Sequence, residues 1–403
     1  MTSSRAGASV TFEHLGGSLR SSSTSIGGSA GQAFYRQSGG QHTVSASLIV
    51  DSPYGVASYA LVDGLLQTRT TWVGLSRTGA FVQTGGRHIS DELLLTGASS
   101  LYTLKGGTLQ TGAQASVGSQ AVFSHEAGDA ILPALYVGRS DGAGIYSMSS
   151  GARTGVLNAN LVQVGYGGQF QQVNSGTSTV VTQVLRVGDG RDESVYSLYG
   201  GNVVATSAVI GGGADGYFVH GHGSAGFADL VLGESAGVRG VYALSGGELT
   251  TRRTVVGQQG TGQFFNTAGR HIVIESLNIG SGGSYALDLS GQLQATGAAP
   301  VINHGSFSHT GGRFAGTLEN HGQFLLDDRN HGSVQGSAPE FAGHLINHGS
   351  VTLTGNATFG DGLRNEAGLD LLPSGRTLTL NGQGLYNNGS FALAGGTLQG
   401  NGA

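Results

Sequence analysis

Hydrophobic and polar residues alternate in short runs along the chain, and glycines interrupt each run. In VYALSGGELT, which begins at Val241, apolar side chains recur at every second position until two glycines break the pattern. A period of two is the signature of a β-strand, whose successive side chains point to opposite faces. A helix is disfavoured, because each internal glycine costs about 1 kcal/mol relative to alanine and no 3.6-residue apolar stripe is present. The pattern predicts an all-β protein.

Two apolar phrases recur in alternation, one centred on tyrosine and one on phenylalanine. The tyrosines lie 43 to 50 residues apart, and each is followed 21 to 24 residues later by a phenylalanine. The ten residues AFVQTGGRHI from Ala80 return almost unchanged as QFFNTAGRHI from Gln263. The repeat unit is therefore about 22 residues long, written in two alternating forms. The six pairs are Tyr59 and Phe81, Tyr102 and Phe123, Tyr146 and Phe170, Tyr196 and Phe218, Tyr242 and Phe264, and Tyr285 and Phe307.

Short strands, glycine corners and a near-constant period predict a β-solenoid, in which each repeat unit forms one coil. Each strand then pairs in parallel with its copy in the next coil at about 4.8 Å. The tyrosines and phenylalanines are expected to point inward and stack, with glycine at the corners where φ is positive or two backbones pass closely. We predict a single right-handed parallel β-helix of about 18 coils of about 22 residues.

The repeat changes near the C-terminal end of the sequence. Residues 1–285 carry the alternating Tyr and Phe coils, and residues 286–403 are predicted to continue the solenoid with Asn-x-Gly corners, as in INHGSFSHTGG and LINHGSVTL. One asparagine per coil is expected to form a ladder of side-chain amide hydrogen bonds. These asparagines are Asn303, Asn320, Asn347, Asn365 and Asn387, with Asn330 in an additional insertion.

Composition narrows the functional classes. Glycine accounts for 75 of the 403 residues and proline for 5, and charged residues make up 11%, which indicates an ordered glycine-rich chain rather than a disordered one. The net charge of −5 offers no electrostatic attraction to nucleic acid or an anionic membrane. The absence of cysteine excludes disulfides and thiolate metal sites. No apolar run is long enough to span a bilayer.

Two short stretches of the sequence carry candidate acid and base groups. Gly221-His222-Gly223 and Asp327-Asp328 resemble fragments of the sites of polygalacturonases, which are parallel β-helices. About 105 residues separate the two fragments, or about five coils and 24 Å along the axis. Glycosidic hydrolysis needs its two carboxyl groups within about 10 Å. We therefore predict no catalytic residues and no enzyme activity.

Histidine and acidic clusters raise the question of metal binding. His220 and His222 alternate along a strand and are expected to share a face. His304, His321, His331 and His348 are expected at a repeated, solvent-facing corner. No acidic ligand recurs in the corner pattern, and the acidic run Val187–Ser194 lacks the spacing of calcium-binding rolls. We predict no metal site and no cofactor.

The Tyr, Phe and Asn-x-Gly phrases resemble those of autotransporter-like β-helical passenger repeats from large secreted bacterial proteins. The resemblance covers roughly residues 10–403 and implies a surface adhesin, matrix or scaffold protein. We therefore predict a non-enzymatic structural or adhesive protein, extracellular or on the bacterial cell surface, that associates with itself or with a host or matrix surface. A carbohydrate-binding face of exposed Tyr, Asn, Gln and Arg side chains is the alternative.

The two ends of the sequence add one expectation. Neither MTSSRAGASV nor LAGGTLQGNGA has the pattern of a cap that would cover the edge of a terminal coil. We expect either that the chain is part of a longer protein or that its terminal coils dock end to end on other copies to form filaments.

Overall fold

The structure is a computed structural model that describes residue 2 and residues 7–149, 154–173, 178–328, 339–371 and 375–400. Every regular element in these residues is a β-strand, which confirms the all-β prediction. Up to residue 210 the strands are β1 (Ser9–His14), β2 (Ser18–Ser21), β3 (Thr24–Ile26), β4 (Gln32–Gln37), β5 (Gln41–Val50), β6 (Val56–Leu61), β7 (Leu65–Val73), β8 (Ala80–Gln83), β9 (Arg87–Leu95), β10 (Leu101–Val117), β11 (Val122–Val137), β12 (Ile145–Met148), β13 (Gly155–Val164), β14 (Gln169–Val173), β15 (Thr179–Val187) and β16 (Ser194–Ile210).

The strands after residue 210 are shorter towards the C-terminus. They are β17 (Gly216–Leu232), β18 (Arg239–Leu244), β19 (Glu248–Val256), β20 (Thr261–Asn266), β21 (Arg270–Ile279), β22 (Gly283–Leu287), β23 (Gln292–Ala295), β24 (Val301–Asn303), β25 (Ser306–His309), β26 (Arg313–Ala315), β27 (Thr317–Asn320), β28 (Gln323–Leu326), β29 (Glu340–Phe341), β30 (His344–Asn347), β31 (Ser350–Leu353), β32 (Ala357–Phe359), β33 (Leu363–Asn365), β34 (Gly368–Leu371), β35 (Thr377–Leu380), β36 (Leu385–Asn387), β37 (Ser390–Leu393) and β38 (Thr397–Gly400).

The chain divides into two compact units, Met1–Ala205 and Thr206–Ala403. Within each unit the strands pair in parallel with their copies in the next coil, as when Tyr59 of β6 lies opposite Phe81 of β8, which lies opposite Tyr102 of β10. The predicted β-solenoid is therefore confirmed, with about 17 turns of about 22 residues in all where about 18 coils were expected. The right-handed sense of the coil stays a prediction.

Each coil has three faces, and the strand lengths show where the corners are. The first half of β21 pairs with β23, and its second half pairs with β24. One long strand bent at a corner thus covers two faces, which separate short strands cover in the later coils. From β24 to β35 each strand pairs with the strand three positions further along the chain. β22, which contains Tyr285, pairs in parallel with β20 before it and with β25 after it.

Aromatic rings stack in one column inside each unit, which confirms the predicted inward orientation of the tyrosines. In the first unit successive ring centroids are 4.5 to 4.9 Å apart, the spacing of neighbouring parallel strands. Stacked aromatic pairs contribute about 0.5–1.5 kcal/mol each beyond their buried area. The rings of this column are Phe12, Tyr35, Tyr59, Phe81, Tyr102, Phe123, Tyr146, Phe170 and Tyr196.

The second unit has an equivalent column that gradually changes character. Phe218, Tyr242, Phe264 and Tyr285 stack at 4.6 to 5.0 Å, and the spacing widens to 5.5 Å between Tyr285 and Phe307. Beyond Phe324 the aligned positions are occupied by Val351, then Leu369, and then Phe391. The described residues contain no helix with the length and apolar character needed to cross a membrane.

The TGGR sequence, at residues 84–87 and again at residues 310–313, forms the same kind of corner in both places, as predicted. Gly86 has φ of +62°, and a Cβ atom there would lie 2.6 Å from the carbonyl oxygen of Gly64 in the preceding coil. Both the conformation and the close approach of two backbones require glycine. The corner thereby explains why glycine pairs recur at the repeat period.

Candidate functional site

A ladder of asparagine side chains organises the C-terminal coils of the second unit, as the sequence predicted. Each amide nitrogen donates to the amide oxygen of the next asparagine, at 2.7, 2.9, 2.8 and 2.7 Å. The same nitrogens also donate to backbone carbonyls, so the ladder fixes the corner of each coil. Its members are Asn303, Asn320, Asn347, Asn365 and Asn387, and Asn330 lies outside the described residues.

A column of histidines follows this ladder on the outside of the solenoid. His304, His321 and His348 each come directly after a ladder asparagine and are exposed, which confirms the predicted solvent-facing corner. The rings stack with centroid distances of 4.9 Å between His304 and His321 and 4.9 Å between His321 and His348. His331 lies outside the described residues.

An acidic residue lies beside this column in one coil, although no acid recurs there from coil to coil, as the sequence pattern indicated. Glu319 Oε1 is 2.7 Å from His321 Nε2. The ligating atoms of Glu319, His321 and His348 all lie within 4.8 Å of one another. The sequence pattern missed Glu319 because its position is occupied by Ile302 and Ile346 in the neighbouring coils, so the acid does not recur.

A groove of about 470 Å³ opens on the outer surface of the same unit, near its C-terminal coils. Its polar lining includes His344, Arg364 and Gln383, and its aromatic wall is Tyr386, which is 58% exposed. The Arg364 guanidinium lies over the Tyr386 ring at 5.6 Å from the centroid. The groove thus combines an exposed aromatic ring with hydrogen-bonding side chains.

The alternation of Tyr and Phe coils has a chemical basis in the core. From Tyr59 to Phe307, a Phe coil carries Gln, His or Asn two residues after the ring, whereas a Tyr coil carries Leu or Met there. Before this stretch, Tyr35 is followed by the polar residue Gln37. The hydroxyl of each tyrosine reaches back to the polar side chain of the preceding coil. We name such a buried polar residue with its tyrosine a tyrosine clamp. The clamps formed in this way are Gln37 with Tyr59, Gln83 with Tyr102, His125 with Tyr146, Gln172 with Tyr196, and His220 with Tyr242.

The clamp around Tyr102 shows a fully directed hydrogen-bond network. The Tyr102 hydroxyl donates its hydrogen to Gln83 Oε1 at 2.7 Å. His88 Nδ1, which lies 2.9 Å from the Tyr102 hydroxyl oxygen, therefore donates to that oxygen. His88 Nε2 then accepts from Thr71 Oγ1 at 3.0 Å. Gln83 Nε2 donates to the carbonyl oxygen of Thr108 at 3.0 Å. Gln83 and His88 both belong to the AFVQTGGRHI repeat, which therefore recurs as a clamp for the next tyrosine.

Burial keeps these histidines neutral. It lowers the pKa of His88 and His271 to about 3, and it lowers the pKa of His125, His220 and His309 to about 4. Burial likewise raises the pKa of Tyr59 and Tyr102 well above the usual value. The clamp residues are buried in the core and hydrogen-bonded to one another.

The structure does not bring the candidate acid and base groups together. Phe218 lies four residues before His222, and Phe324 lies three residues before Asp327. Five coil steps separate these two rings, about 24 Å along the axis. Asp328 Oδ2 instead accepts the backbone N–H of Asn356 at 2.8 Å.

His220 and His222 do not share a face, which corrects the sequence prediction. His220 is buried and its Nδ1 lies 2.9 Å from the Tyr242 hydroxyl, whereas His222 is exposed. The chain turns a corner here, with Gly223 at φ of +90°. Two-residue alternation holds only along a straight strand, so the corner sends the two side chains in different directions.

In the acidic run Val187–Ser194, Asp189 is already paired. Its Oδ2 accepts from Arg186 Nε at 3.0 Å.

Comparisons with protein-family models, with curated proteins and with solved structures found no match for this chain.

Proposed function

We propose that this chain is a non-enzymatic β-solenoid that acts outside the cell as a structural or adhesive element, such as a surface passenger, a stalk or a matrix fibre. The observation that carries the proposal is that the polar side chains of the interior form hydrogen bonds between successive coils. The buried tyrosines are clamped by glutamines and histidines of the preceding coils, so these reactive side chains hold the coils together. The autotransporter-like phrases of the sequence support the surface role.

A chain that repeats the same contacts in every coil can vary its length without changing its chemistry. This property suits a spacer, whose performance depends on reach rather than on one site. The proposal therefore predicts that removal of whole coils reduces function in proportion to length.

Deletion of residues 241–283 tests this expectation, because Gly240, Gly262 and Gly283 occupy equivalent positions. Gly240 would take the place of Gly283, and the chain would lose two coils, or about 10 Å. With the chain displayed between a cell-surface anchor and an adhesive tag, we expect a small, graded loss of adhesion to a coated surface. Complete loss on this deletion, with the fold intact by circular dichroism, would contradict the spacer role.

The location is tested on the cells that make the protein. Antibodies raised against the chain are expected to label intact cells, and added protease is expected to remove the label. Recovery of the protein in the cytosolic fraction alone would refute the surface assignment. Polysaccharide cleavage that is lost on Asp327→Asn or His222→Ala would refute the non-enzymatic one.

Self-association through the terminal coils is part of the proposal. In β1, Val10 and Phe12 are 37% and 43% exposed, and towards the other end Leu393 and Leu398 are 41% and 40% exposed. A second copy of the chain fits these edges, because each presents parallel strands with exposed apolar side chains. Electron microscopy at rising concentration is expected to show filaments, and Phe12→Arg is expected to prevent them. Leu15→Arg, in the turn after β1, is the control. Monodisperse particles at every concentration would exclude filament formation.

A carbohydrate-binding role is the second candidate, and the groove beside Tyr386 favours it. Sugar rings stack on exposed aromatic faces while guanidinium and amide groups bind hydroxyls. Glycan-array binding that is lost in Tyr386→Ala and retained in Tyr54→Ala, another exposed tyrosine, would support this role. Binding unchanged in both variants would exclude the groove.

A further inference from the structure

We infer that Glu319, His321 and His348 form a binding site for one divalent transition-metal ion of the zinc or copper class. This inference is independent of the proposed structural role. Two imidazoles and one carboxylate are ligands that zinc accepts in sites that keep a position open for water. Imidazole also suits copper and nickel, whereas magnesium and calcium prefer oxygen ligands alone.

The spacing of the ligands supports this assignment. Zinc binds imidazole nitrogen at about 2.0–2.1 Å and carboxylate oxygen at about 2.0–2.2 Å, and the three candidate ligand atoms lie within 4.8 Å of one another. Side-chain rotations that move the ligand atoms by about 1 Å would bring them to bonding distance of a shared ion. The Glu319 and His321 side chains are about one-third exposed, and His348 is exposed, so this movement disturbs no core packing.

The backbone beneath the site is already fixed. The N–H groups of His321 and His348 donate to the carbonyl oxygens of Asn303 and Asn320, both at 2.7 Å. Ring stacking at 4.9 Å holds the two imidazoles side by side on consecutive coils. A metal ion therefore meets two ligands whose positions are set by the asparagine ladder, which lowers the entropy lost on binding.

The charged residues near the site include one further acidic residue, Glu366, and one positively charged residue, Arg364. Glu366 occupies the position after the ladder asparagine in the next coil, which corresponds to the position of His348. Arg364 pairs with Glu366 at 2.6 Å, so the carboxylate of Glu319 is the acid left to face the ion. His304 stacks on the opposite side of His321 and lies outside the three-residue cluster.

Bound metal would join two consecutive coils of the second unit. Since an ion that binds only the folded state stabilises it by mass action, the thermal midpoint of this unit should rise with zinc concentration. The site would thereby make the stability of the C-terminal coils responsive to metal.

The test uses the full chain with zinc for calorimetry and cobalt for visible absorption. We expect one saturable site per chain, with cobalt d–d bands that zinc displaces. We expect zinc affinity to fall about tenfold or more in each of the variants His321→Ala, His348→Ala and Glu319→Gln. Even the mutation of an outer-shell partner of a metal ligand typically lowers metal affinity about 10- to 100-fold. Zinc should raise the thermal midpoint of the wild-type chain and not that of His348→Ala.

Two matched variants separate this site from other histidines. His304→Ala removes a stacked neighbour that is not a ligand, and His222→Ala removes an exposed histidine of the same unit. Both should bind zinc as the wild type does. Absence of saturable binding, retention of full affinity in His321→Ala and His348→Ala, or loss of binding in His304→Ala would each overturn the assignment.

Discussion

The hydrogen bonds of single tyrosine hydroxyl groups determine which residues can occupy neighbouring core positions in consecutive coils. Tyr102 is fully buried, and its hydroxyl needs the acceptor Gln83 and the donor His88 from the coil before it. A buried polar atom without a partner costs about 1–3 kcal/mol. The hydrogen-bond requirement therefore links the identity of a residue in one coil to that of a residue about 20 positions earlier.

Removing one hydroxyl tests this link. Tyr102→Phe keeps the stacked ring but leaves Gln83 Oε1 and His88 Nδ1 without their partner. We expect a loss of about 1–3 kcal/mol in the free energy of unfolding, measured by urea denaturation. Tyr54→Phe removes a hydroxyl from an exposed ring and is expected to change stability by less than about 0.5 kcal/mol. Equal effects of the two substitutions would contradict the clamp.

The clamp position at His309 is incomplete, and a substitution can complete it. His309 Nε2 lies 3.3 Å from the carbonyl of Gly312, while His309 Nδ1 is buried and lacks a partner among the described residues. The next coil supplies Phe324 where earlier coils supply tyrosine. Phe324→Tyr should place a hydroxyl near Nδ1, as Tyr146 does for His125, and increase the free energy of unfolding by about 1 kcal/mol.

The matched control adds the same hydroxyl to the neighbouring ring. Phe307 follows a coil that presents the buried apolar residues Leu287 and Leu293. Phe307→Tyr should therefore bury an unpaired hydroxyl and destabilise the protein by about 1–3 kcal/mol. Urea denaturation of both variants checks the pair, and the same sign of change in both would show that the clamp does not govern this column.

At the scale of the element, the functional repeat is two coils and not one. A clamp joins a polar coil to the tyrosine coil after it, so coils are interchangeable only in pairs. Deletion of residues 241–283 removes such a pair and places Tyr285 over Phe218, where its hydroxyl faces His220 as that of Tyr242 did.

Deletion of residues 241–262 keeps the same strand register but removes one coil. Phe264 would then lie over Phe218, and His220 would lose its tyrosine hydroxyl. We expect the one-coil deletion to unfold at lower urea concentration than the two-coil deletion, although it removes fewer contacts. The reverse order of midpoints would show that packing area outweighs the clamps.

The strands and the coil period could be predicted from the sequence because Tyr, Phe and Gly repeat at fixed intervals. The asparagine ladder was predictable for the same reason, since Asn303 and Asn320 hold one place in successive coils. What lies around a corner was not predictable. His222 turns away from His220 at Gly223, and Glu319 approaches His321 only because the chain bends between them. Such contacts depend on corner geometry, which a two-residue period does not encode.

At the scale of the whole molecule, buried neutral histidines couple stability to pH. His88 and His125 lie in the first unit, and His271 and His309 lie in the second. Their folded-state pKa values are about 3 or 4, below the ordinary value of about 6.5 expected when the chain unfolds. The unfolded chain therefore binds more protons between these values, so stability is present above pH 6.5 and is lost as the pH falls towards 4.

This linkage predicts acid unfolding that a single substitution can moderate. For each of the four histidines, the free energy of unfolding falls by about 1.4 kcal/mol per pH unit as the pH drops below 6.5. His125→Gln should weaken this dependence by one proton, because Gln172 already serves Tyr196 from the equivalent position. Circular dichroism is expected to show a lower acid midpoint for His125→Gln than for the wild type, and an unchanged one for the exposed His222→Gln. If both variants unfold at the wild-type pH, carboxylate protonation rather than the buried imidazoles limits the stability of the solenoid in acid.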